Sequence, residues 1–272
     1  MLIKLLKYEF KDTARIIPLF YLVTLIFAGM VLLAKTLDIG WFRMTTSFLL
    51  LLLGIAVAVV TLVVIVMRFY KNLYSNEGYL MFTLPVKPHL LLASKGITAF
   101  CWMILSYCVS ICSLFISLYG FGLTNELSAI QGELKKYGLE NSLYLIIPLV
   151  ILATVYLLSQ IYFSITISNI SMFNNLGPAS AFLVFIVTYV VMQIIESLFT
   201  IFTPFSVEIN LVGNIQASLT TKNMFGYLVD SIKGSEPTNV ILGLGGYTFE
   251  VVAVVILFFI ISRTMKNKVS LK

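Results

Sequence analysis

Long uninterrupted runs of apolar residues dominate the chain. An α-helix needs about 20 such residues to cross a bilayer, and six runs are close to or above that length. They cover residues 16–34, 44–67, 97–121, 143–167, 179–202 and about 241–262. Membrane β-barrels use shorter segments of about ten alternating residues, so this pattern indicates helices. We therefore predict an all-α integral membrane protein with six transmembrane helices, forming a single domain over residues 1–272.

The overall composition supports a membrane protein and excludes a soluble one. Of the 272 residues, 60% are hydrophobic and only 11% are charged. Soluble globular proteins are about 45–50% apolar and about 25% charged. A water-soluble fold cannot bury such an excess of apolar side chains.

The charged residues fall mainly in the connections between the runs, and they predict the orientation. Cytoplasmic loops of membrane proteins are enriched in lysine and arginine. Of the 18 basic residues, twelve lie on the side that carries both termini and loop 68–95. We therefore predict that both termini and loop 68–95 are cytoplasmic and that 203–240 is an external loop. Because topology accounts for the net charge of +6, we expect no nucleic-acid partner.

The first 15 residues combine apolar and basic side chains at roughly helical spacing. The apolar positions are Leu2, Leu5, Leu6 and Phe10, and the basic ones between them are Lys4, Lys7 and Lys11. This pattern predicts an interfacial amphipathic helix over residues 1–15, with its lysines facing the anionic headgroups of the membrane lipid. The alternative is an ordinary charged flank of the first span.

Two carboxylates interrupt the outer parts of the last two runs. At 1.5 Å per residue from the predicted cytoplasmic ends, Glu196 lies about 26 Å and Glu250 about 20 Å into the membrane. An acid inside the bilayer faces protein or water rather than lipid. We interpret Glu196 and Glu250 as candidate residues of a transport path for a cationic or amphipathic cargo. Gln193 by itself indicates an interhelical hydrogen bond, and only the resemblance to a transporter class given below makes it a candidate for the path. The alternative is that both acids reach the outer headgroups.

Residues for enzyme chemistry are scarce. His89 is the one histidine and has no acid or cysteine pattern beside it, which argues against a metal site. The three cysteines share one apolar run, as expected for small buried side chains. No GxxxxGK[ST] motif is present, so the chain does not bind ATP through a P-loop of its own. The GLGG sequence at 243–246 lies in apolar surroundings and indicates helix packing or a re-entrant turn. We therefore expect no catalytic residue and no cofactor in this chain.

The connection at 68–95 is much longer than the 2–8 residues that usually join neighbouring helices. It begins with a segment of helical character, RFYKNLYSNEGYLMF. The two prolines of LPVKP then favour extended backbone in the residue before each of them. A second helical segment, HLLLASK, leads into the third span. We predict a rigid projection that transmits force or binds a partner.

The stretch YSNEGYLMFTLPVKPHLLLASK resembles a signature of permease subunits in bacterial type-two ABC exporters, especially those of Gram-positive and clostridial bacteria. The whole chain is similar to that class in its length, interfacial N-terminal helix, six spans and long last external loop. The resemblance implies a plasma-membrane subunit that pairs with a second permease chain, identical or related. Each chain would rest on a separate cytoplasmic ABC ATPase that binds ATP and Mg²⁺.

The resemblance also implies roles for particular residues of the loop. Its residues would form a coupling helix that docks on the ATPase. The residues concerned are Tyr74, Ser75, Glu77, Gly78 and Tyr79 for the docking surface, with Leu84 and Pro85 fixing the turn. As the only acid of the loop, Glu77 would pair with a basic ATPase residue. In this class the region corresponding to 203–240 often forms short re-entrant or cap helices.

Two other functional classes stay open on the sequence alone. One is a stand-alone channel or secondary transporter, for which several buried ionisable groups or inverted repeats would be expected. The other is a non-transporting scaffold or immunity protein, in which loop 68–95 binds something other than an ATPase. The transported substrate, and the choice between homodimer and heterodimer, cannot be read from the sequence.

Overall fold

The structure of the chain is a computed structural model that describes residues 2–74, 86–126, 128–129, 132, 143–170, 178–210, 217–232 and 239–267. It divides into two compact units. The first, unit 1, comprises residues 1–130 and 269–272, and the second, unit 2, comprises residues 131–268. Each unit is described by itself below.

Unit 1 is built from helices in its described part. They are α1 (Leu2–Thr13), α2 (Ile17–Thr36), α3 (Gly40–Tyr74) and α4 (Pro88–Phe121). A proline and a glycine mark the two ends of α4. Pro88 occupies the start of the helix, where its missing N–H is not needed, and Lys87 before it is extended. Gly122, at a φ of 84°, ends the helix in the left-handed conformation that glycine adopts without strain.

Small and hydroxylated residues let the long helices α3 and α4 approach closely. Ser110 Oγ donates a hydrogen bond of 2.6 Å to the carbonyl oxygen of Gly54, and Ser117 Oγ donates one of 2.7 Å to that of Ser47. A Cβ atom on Gly54 would collide with the side chain of Ser113. Such contacts replace the hydrophobic effect as the attraction between helices in a bilayer.

Unit 2 combines helices with a small sheet. Its elements are α5 (Leu143–Ser168), α6 (Pro178–Phe202), β1 (Ser206–Asn210), β2 (Ala217–Thr220), α7 (Met224–Ile232), β3 (Asn239–Gly243) and α8 (Gly245–Asn267). Helix α8 packs against both α5 and α6. The short helix α7 follows β2 and stacks the ring of Phe225 on that of Phe202 at the end of α6, with centroids 5.2 Å apart.

The sheet is antiparallel and has the strand order β2-β1-β3. In the central strand β1, Val207 pairs with Leu219 of β2 on one side and with Leu242 of β3 on the other. Beside the sheet, Lys222 Nζ forms an ion pair of 3.2 Å with Glu208, and the Ser206 hydroxyl donates to the Lys222 carbonyl at 2.6 Å. These contacts fix the chain between the two spans α6 and α8.

The structure confirms a mostly helical chain with six helices that are long and apolar enough to cross a membrane. Those segments are Ile17–Thr36, Gly40–Tyr74, Pro88–Phe121, Ile146–Ser168, Ser180–Phe202 and Gly245–Lys266. Each of them overlaps one of the six predicted runs. We therefore describe the protein as a multi-pass membrane protein.

Three boundaries differ from the prediction. The predicted loop 68–95 is helical at both described ends, since α3 continues to Tyr74 and α4 begins at Pro88. The predicted last span, from about 241 to 262, instead begins at Gly245, because residues 241–243 pair with β1, and it continues to Asn267. The predicted external loop 203–240 contains strands as well as helix α7. The prediction of an all-α protein is therefore correct for the spans and wrong for this region, which contributes to a small sheet.

Candidate functional site

The segment predicted to couple to an ATPase lies between the ends of α3 and α4. Tyr74, the last residue of α3, is buried, and its ring lies 6.2 Å from that of Phe69. The other residues predicted for this surface lie outside the described residues; they are Ser75, Glu77, Gly78, Tyr79, Leu84 and Pro85. The structure therefore describes the two helices that flank the segment, and the coupling role stays a prediction.

A cluster of four charged side chains joins these two helices to α1. Lys95 Nζ lies 2.6 Å from Glu9 Oε1, and Arg68 Nε lies 3.1 Å from Glu9 Oε2. Arg68 Nη2 also contacts Asp12 Oδ2 at 2.9 Å. Glu9 and Lys95 are both buried, whereas Asp12 is exposed. We call this group the ion cluster. It joins α1 to α3 at Arg68, six residues before the end of α3, and to α4 at Lys95, seven residues after the start of α4.

Burial makes the ion cluster difficult to open. Removing one partner of a buried ion pair leaves the other charge in a poorly solvated position and costs about 3–5 kcal/mol. Two basic groups compensate the carboxylate of Glu9, so its burial is electrostatically satisfied. The cluster joins three helices to one another, which indicates a structural role for Glu9.

Polar and aromatic contacts extend the attachment of α1 along α4. The indole Nε1 of Trp102 donates a hydrogen bond of 2.8 Å to Thr13 Oγ1 at the end of α1. The same indole lies 6.1 Å from the ring of Phe10 and 6.2 Å from that of Tyr21 in α2. Helix α1 therefore packs on protein with its inner face. Lys4 and Lys7 are exposed, and their predicted contact with lipid headgroups stays a prediction.

The ion cluster was not predicted from the sequence, because Arg68 and Lys95 were counted only as basic residues that indicate how the spans are oriented in the membrane. A usable signal was present. Glu9 and Asp12 are three residues apart and therefore share one face of α1. Their partners are 56 to 86 residues away along the chain, and such distant pairing leaves no local pattern.

Unit 2 contains a cavity of about 470 Å³ at the end of the helices that adjoins the sheet. Helices α5, α6 and α8 and strand β3 contribute to its wall. The lining residues are Leu149, Val150, Ala153, Glu196, Thr200, Gly243, Gly246, Tyr247 and Glu250. The structure therefore brings together Glu196 and Glu250, the two acids singled out in the sequence, in one cavity.

Among the described residues, no basic side chain forms an ion pair with either carboxylate of this cavity. Glu250 is 7% exposed, and its Oε2 has no hydrogen-bond partner among the described residues. Glu196 is half-buried, and no ion pair links either acid to a lysine or arginine in the described part of the chain. Buried polar groups are normally hydrogen-bonded, so an exception calls for an explanation.

Glycines allow α8 to lie close enough to α6 for both acids to reach the cavity. A Cβ atom on Gly246 would collide with Thr200 Oγ1 and lie 3.4 Å from Glu196 Cγ. One on Gly245 would meet the carbonyl oxygen of Phe199. The helix-packing role expected for the GLGG sequence is therefore observed.

The other polar residues of the spans lie elsewhere. Gln193 is exposed on α6 and is not among the lining residues. Tyr156 of α5, which the sequence analysis did not select, is buried and within electrostatic range of Glu196 and Glu250. Gln160 lies beside Tyr156. The signal for this pair was a tyrosine and a glutamine four residues apart in an otherwise apolar run.

The chemistry open to this arrangement is the binding of a positive charge. Among the described residues, no group of three or more histidines, cysteines or acids comes together. Two carboxylates with apolar neighbours instead suit an organic cation or an exchanging proton.

In comparisons with known proteins, no family model, no curated protein and no solved structure matches this chain. The resemblance of the 74–95 region to the permease signature therefore rests on the sequence pattern itself.

Proposed function

We propose that the chain is the membrane-spanning subunit of a bacterial ATP-driven exporter, located in the plasma membrane with both termini in the cytoplasm. Separate ATPase subunits bind ATP and Mg²⁺, and a second membrane chain, identical or related, completes the transport path. The observation that carries this proposal is the setting of the EGYL and FTLP residues. They lie between two helices that continue beyond the membrane-length runs and are joined to α1 by the buried ion cluster.

The lengths of α3 and α4 support a projecting connection. Helix α3 has seven residues beyond the predicted apolar run, at 68–74, and α4 has nine before the next run, at 88–96. At 1.5 Å per residue these extensions measure about 10 and 13 Å. Both are at the ends that flank the proposed coupling segment, as a connection that projects from the membrane would require.

The ion cluster supports the transmission of force from that segment. In the proposed cycle, ATP binding draws two ATPase subunits together and displaces the coupling segments docked on them. Glu9, Arg68 and Lys95 keep α1, α3 and α4 together during this displacement, because separating buried charges is costly. The helices then tilt as one body and switch the path between two states.

The exposure of α6 supports a second membrane chain. From residue 181 to 202, each described side chain of α6 is exposed or half-buried within the single chain. Such a surface contacts either lipid or protein. We propose that a second chain covers part of it.

The test is affinity purification of the chain, in mild detergent, from its native membrane. The proposal predicts a P-loop ATPase in stoichiometric amount and ATP hydrolysis by the purified complex. Replacement of Glu77 and Gly78 by Ala should release the ATPase. The matched control is His89→Ala, because His89 is exposed at the start of α4 and lies outside the proposed docking residues.

Retention of the ATPase and its activity through changes at all positions from 74 to 85 would contradict coupling through this segment. The absence of a P-loop ATPase from the purified material would contradict the exporter proposal as a whole.

The cavity of unit 2 favours a second candidate, a cation-coupled secondary transporter. Buried carboxylates at membrane depth are typical of such proteins. This alternative predicts uptake or release driven by an ion gradient in vesicles that contain the purified chain alone, without ATP. The exporter predicts no such transport.

A further inference from the structure

We propose that the cavity of unit 2 binds an amphipathic organic amine, with the ammonium group against Glu196 and Glu250 and the apolar body against α5. The cargo role of this amine rests on the proposed exporter function, whereas its binding does not require an ATPase.

The first argument is the missing hydrogen-bond donor at Glu250. Its Oε2 is buried and has no partner among the described residues. An ionised carboxylate only accepts hydrogen bonds, and leaving it without a donor in an apolar region is costly. An ammonium group supplies both the donor and the opposite charge. A quaternary cation would supply the charge alone, so a primary or secondary amine fits better.

The second argument is that the protein places no described cation beside the two acids. Of the described basic residues in unit 2, Lys222 pairs with Glu208. The other two, Arg263 and Lys266, are on α8, and the 13-residue separation of Arg263 from Glu250 corresponds to roughly 20 Å along the helix. The counter-ion is therefore expected from a ligand.

The third argument is the size and wall of the cavity. A volume of about 470 Å³ lies within the range of roughly 300–1,000 Å³ that is usual for sites of small organic ligands. Leu149, Val150 and Ala153 supply an apolar wall from α5, and Tyr247 adds an aromatic ring. A bare metal ion would leave this wall unused and would find only two acids. An amine with an apolar body uses both parts of the site.

The binding test uses the chain alone in phosphatidylcholine nanodiscs without ATP. The probe is monodansylcadaverine, which joins a primary ammonium to a fluorescent apolar body. Its N-acetyl derivative keeps the fluorophore and loses the charge. We expect saturable binding of the amine that is about 10- to 100-fold tighter than binding of the acetylated form, the ratio typical of a charge-assisted hydrogen bond.

Variants assign the binding to the two acids. Glu250→Gln should weaken amine binding by about ten-fold or more, and Glu196→Gln should weaken it by a smaller factor. Glu250→Asp, which keeps the charge, should retain most of the affinity. Glu208→Gln is the matched control, because Glu208 is a carboxylate of unit 2 that does not line the cavity; it should leave binding unchanged. Gel filtration of each variant checks folding.

Equal binding of the amine and its acetylated form would overturn the proposal, and this comparison uses the unaltered protein. An absence of saturable amine binding would also overturn it, and is the result expected of a site that exchanges only protons. Full amine affinity in both Glu250→Gln and Glu196→Gln would overturn it as well. Competition by phosphatidylethanolamine added to the nanodiscs would assign the ammonium to a lipid headgroup, and its absence to a soluble amine. If no ATPase co-purifies with the chain, the exporter proposal is contradicted, whereas the amine-binding result still stands.

Discussion

Glu9 in unit 1 and Glu250 in unit 2 are the same residue type with nearly the same burial, at 6% and 7% exposure, and they have opposite surroundings. Glu9 contacts Lys95 and Arg68. Glu250 has an oxygen without a partner among the described residues and shares its cavity with a second acid. A compensated buried acid fixes helices in place, whereas an uncompensated one is retained at an energetic cost that a ligand can offset.

The neutral polar groups do not divide the two units in this way. In unit 1 the hydroxyls of Tyr21 and Thr61 both bond to Ser106, at 2.8 and 2.7 Å. Unit 1 also contains the buried Ser47 Oγ, which has no hydrogen-bond partner among the described residues, and in unit 2 the buried Tyr156 lies beside Gln160. The contrast therefore rests on the two acids: in the proposed exporter, unit 1 would transmit movement through the ion cluster and unit 2 would bind the cargo.

The largest effect is expected from Glu9→Gln. The substitution removes the buried carboxylate that contacts both Arg68 and Lys95, whose side chain is 3% exposed. We expect the free energy of unfolding in mixed micelles to fall by about 3–5 kcal/mol. The matched control is Asp12→Asn, which removes the exposed acid of the ion cluster and should cost no more than about 1 kcal/mol. Equal losses for the two variants would contradict a buried structural role for Glu9.

The next effect is expected from Gly246→Ala. The added Cβ collides with Thr200 Oγ1, so α8 and α6 must separate. We expect a loss of about 1–3 kcal/mol in unfolding free energy, together with weaker amine binding. Gly29→Ala is the control, since a Cβ there has nothing within 4 Å. Unchanged stability and binding in Gly246→Ala would show that close approach of the two helices does not shape the cavity.

Without ligand, Glu250→Gln should not lower the free energy of unfolding, in contrast to Glu9→Gln. It replaces an uncompensated carboxylate by a neutral amide, so the unfolding free energy should stay the same or rise by about 1 kcal/mol. The measurement is the same unfolding assay, without amine. A loss as large as that of Glu9→Gln would mean that Glu250 has a structural partner, and the contrast between the two units would fail.

The smallest effect is expected from Ser117→Ala, which removes one hydroxyl contact from the interface between α3 and α4. Hydrogen bonds between membrane helices contribute about 0.6 kcal/mol on average, and we expect a loss of that order in unfolding free energy. Ser197→Ala is the control, because this exposed hydroxyl bonds only within its own helix in the described structure. A loss above that of Gly246→Ala would show that unit 1 depends on single contacts rather than on many.

The spans could be predicted from sequence because an apolar run is a local and continuous signal. Their ends could not, since RFYKNLY and PHLLLASKG add polar residues to α3 and α4 without ending the helix. Strands β1 and β3 were missed because their pairing joins residues 29 to 37 positions apart, from Asn210 with Asn239 to Ser206 with Gly243. Short strands of this kind carry little pattern of their own.

The candidate cavity was predicted in part. Counting the rise along each helix gave Glu196 and Glu250 similar heights, and the structure brings them together in one cavity. The same count could not show that the two side chains point into one cavity, because that depends on how α8 packs on α6 at Gly246 and Thr200. Gln193, three residues before Glu196, was chosen with it but is not among the residues that line the cavity. The partners of Glu9 were hidden for the same reason, because tertiary packing decides them.

Amine-stimulated ATP hydrolysis by the purified complex tests the central claim most directly, because it requires the cavity of unit 2 and the coupling segment to act together. The account predicts that monodansylcadaverine stimulates hydrolysis in the wild-type complex and that its acetylated form does not. Stimulation should be lost in Glu250→Gln while basal hydrolysis persists, and both should be lost in the Glu77 and Gly78 double variant. Stimulation that survives in Glu250→Gln, or hydrolysis that is indifferent to the amine in the intact complex, would contradict the account.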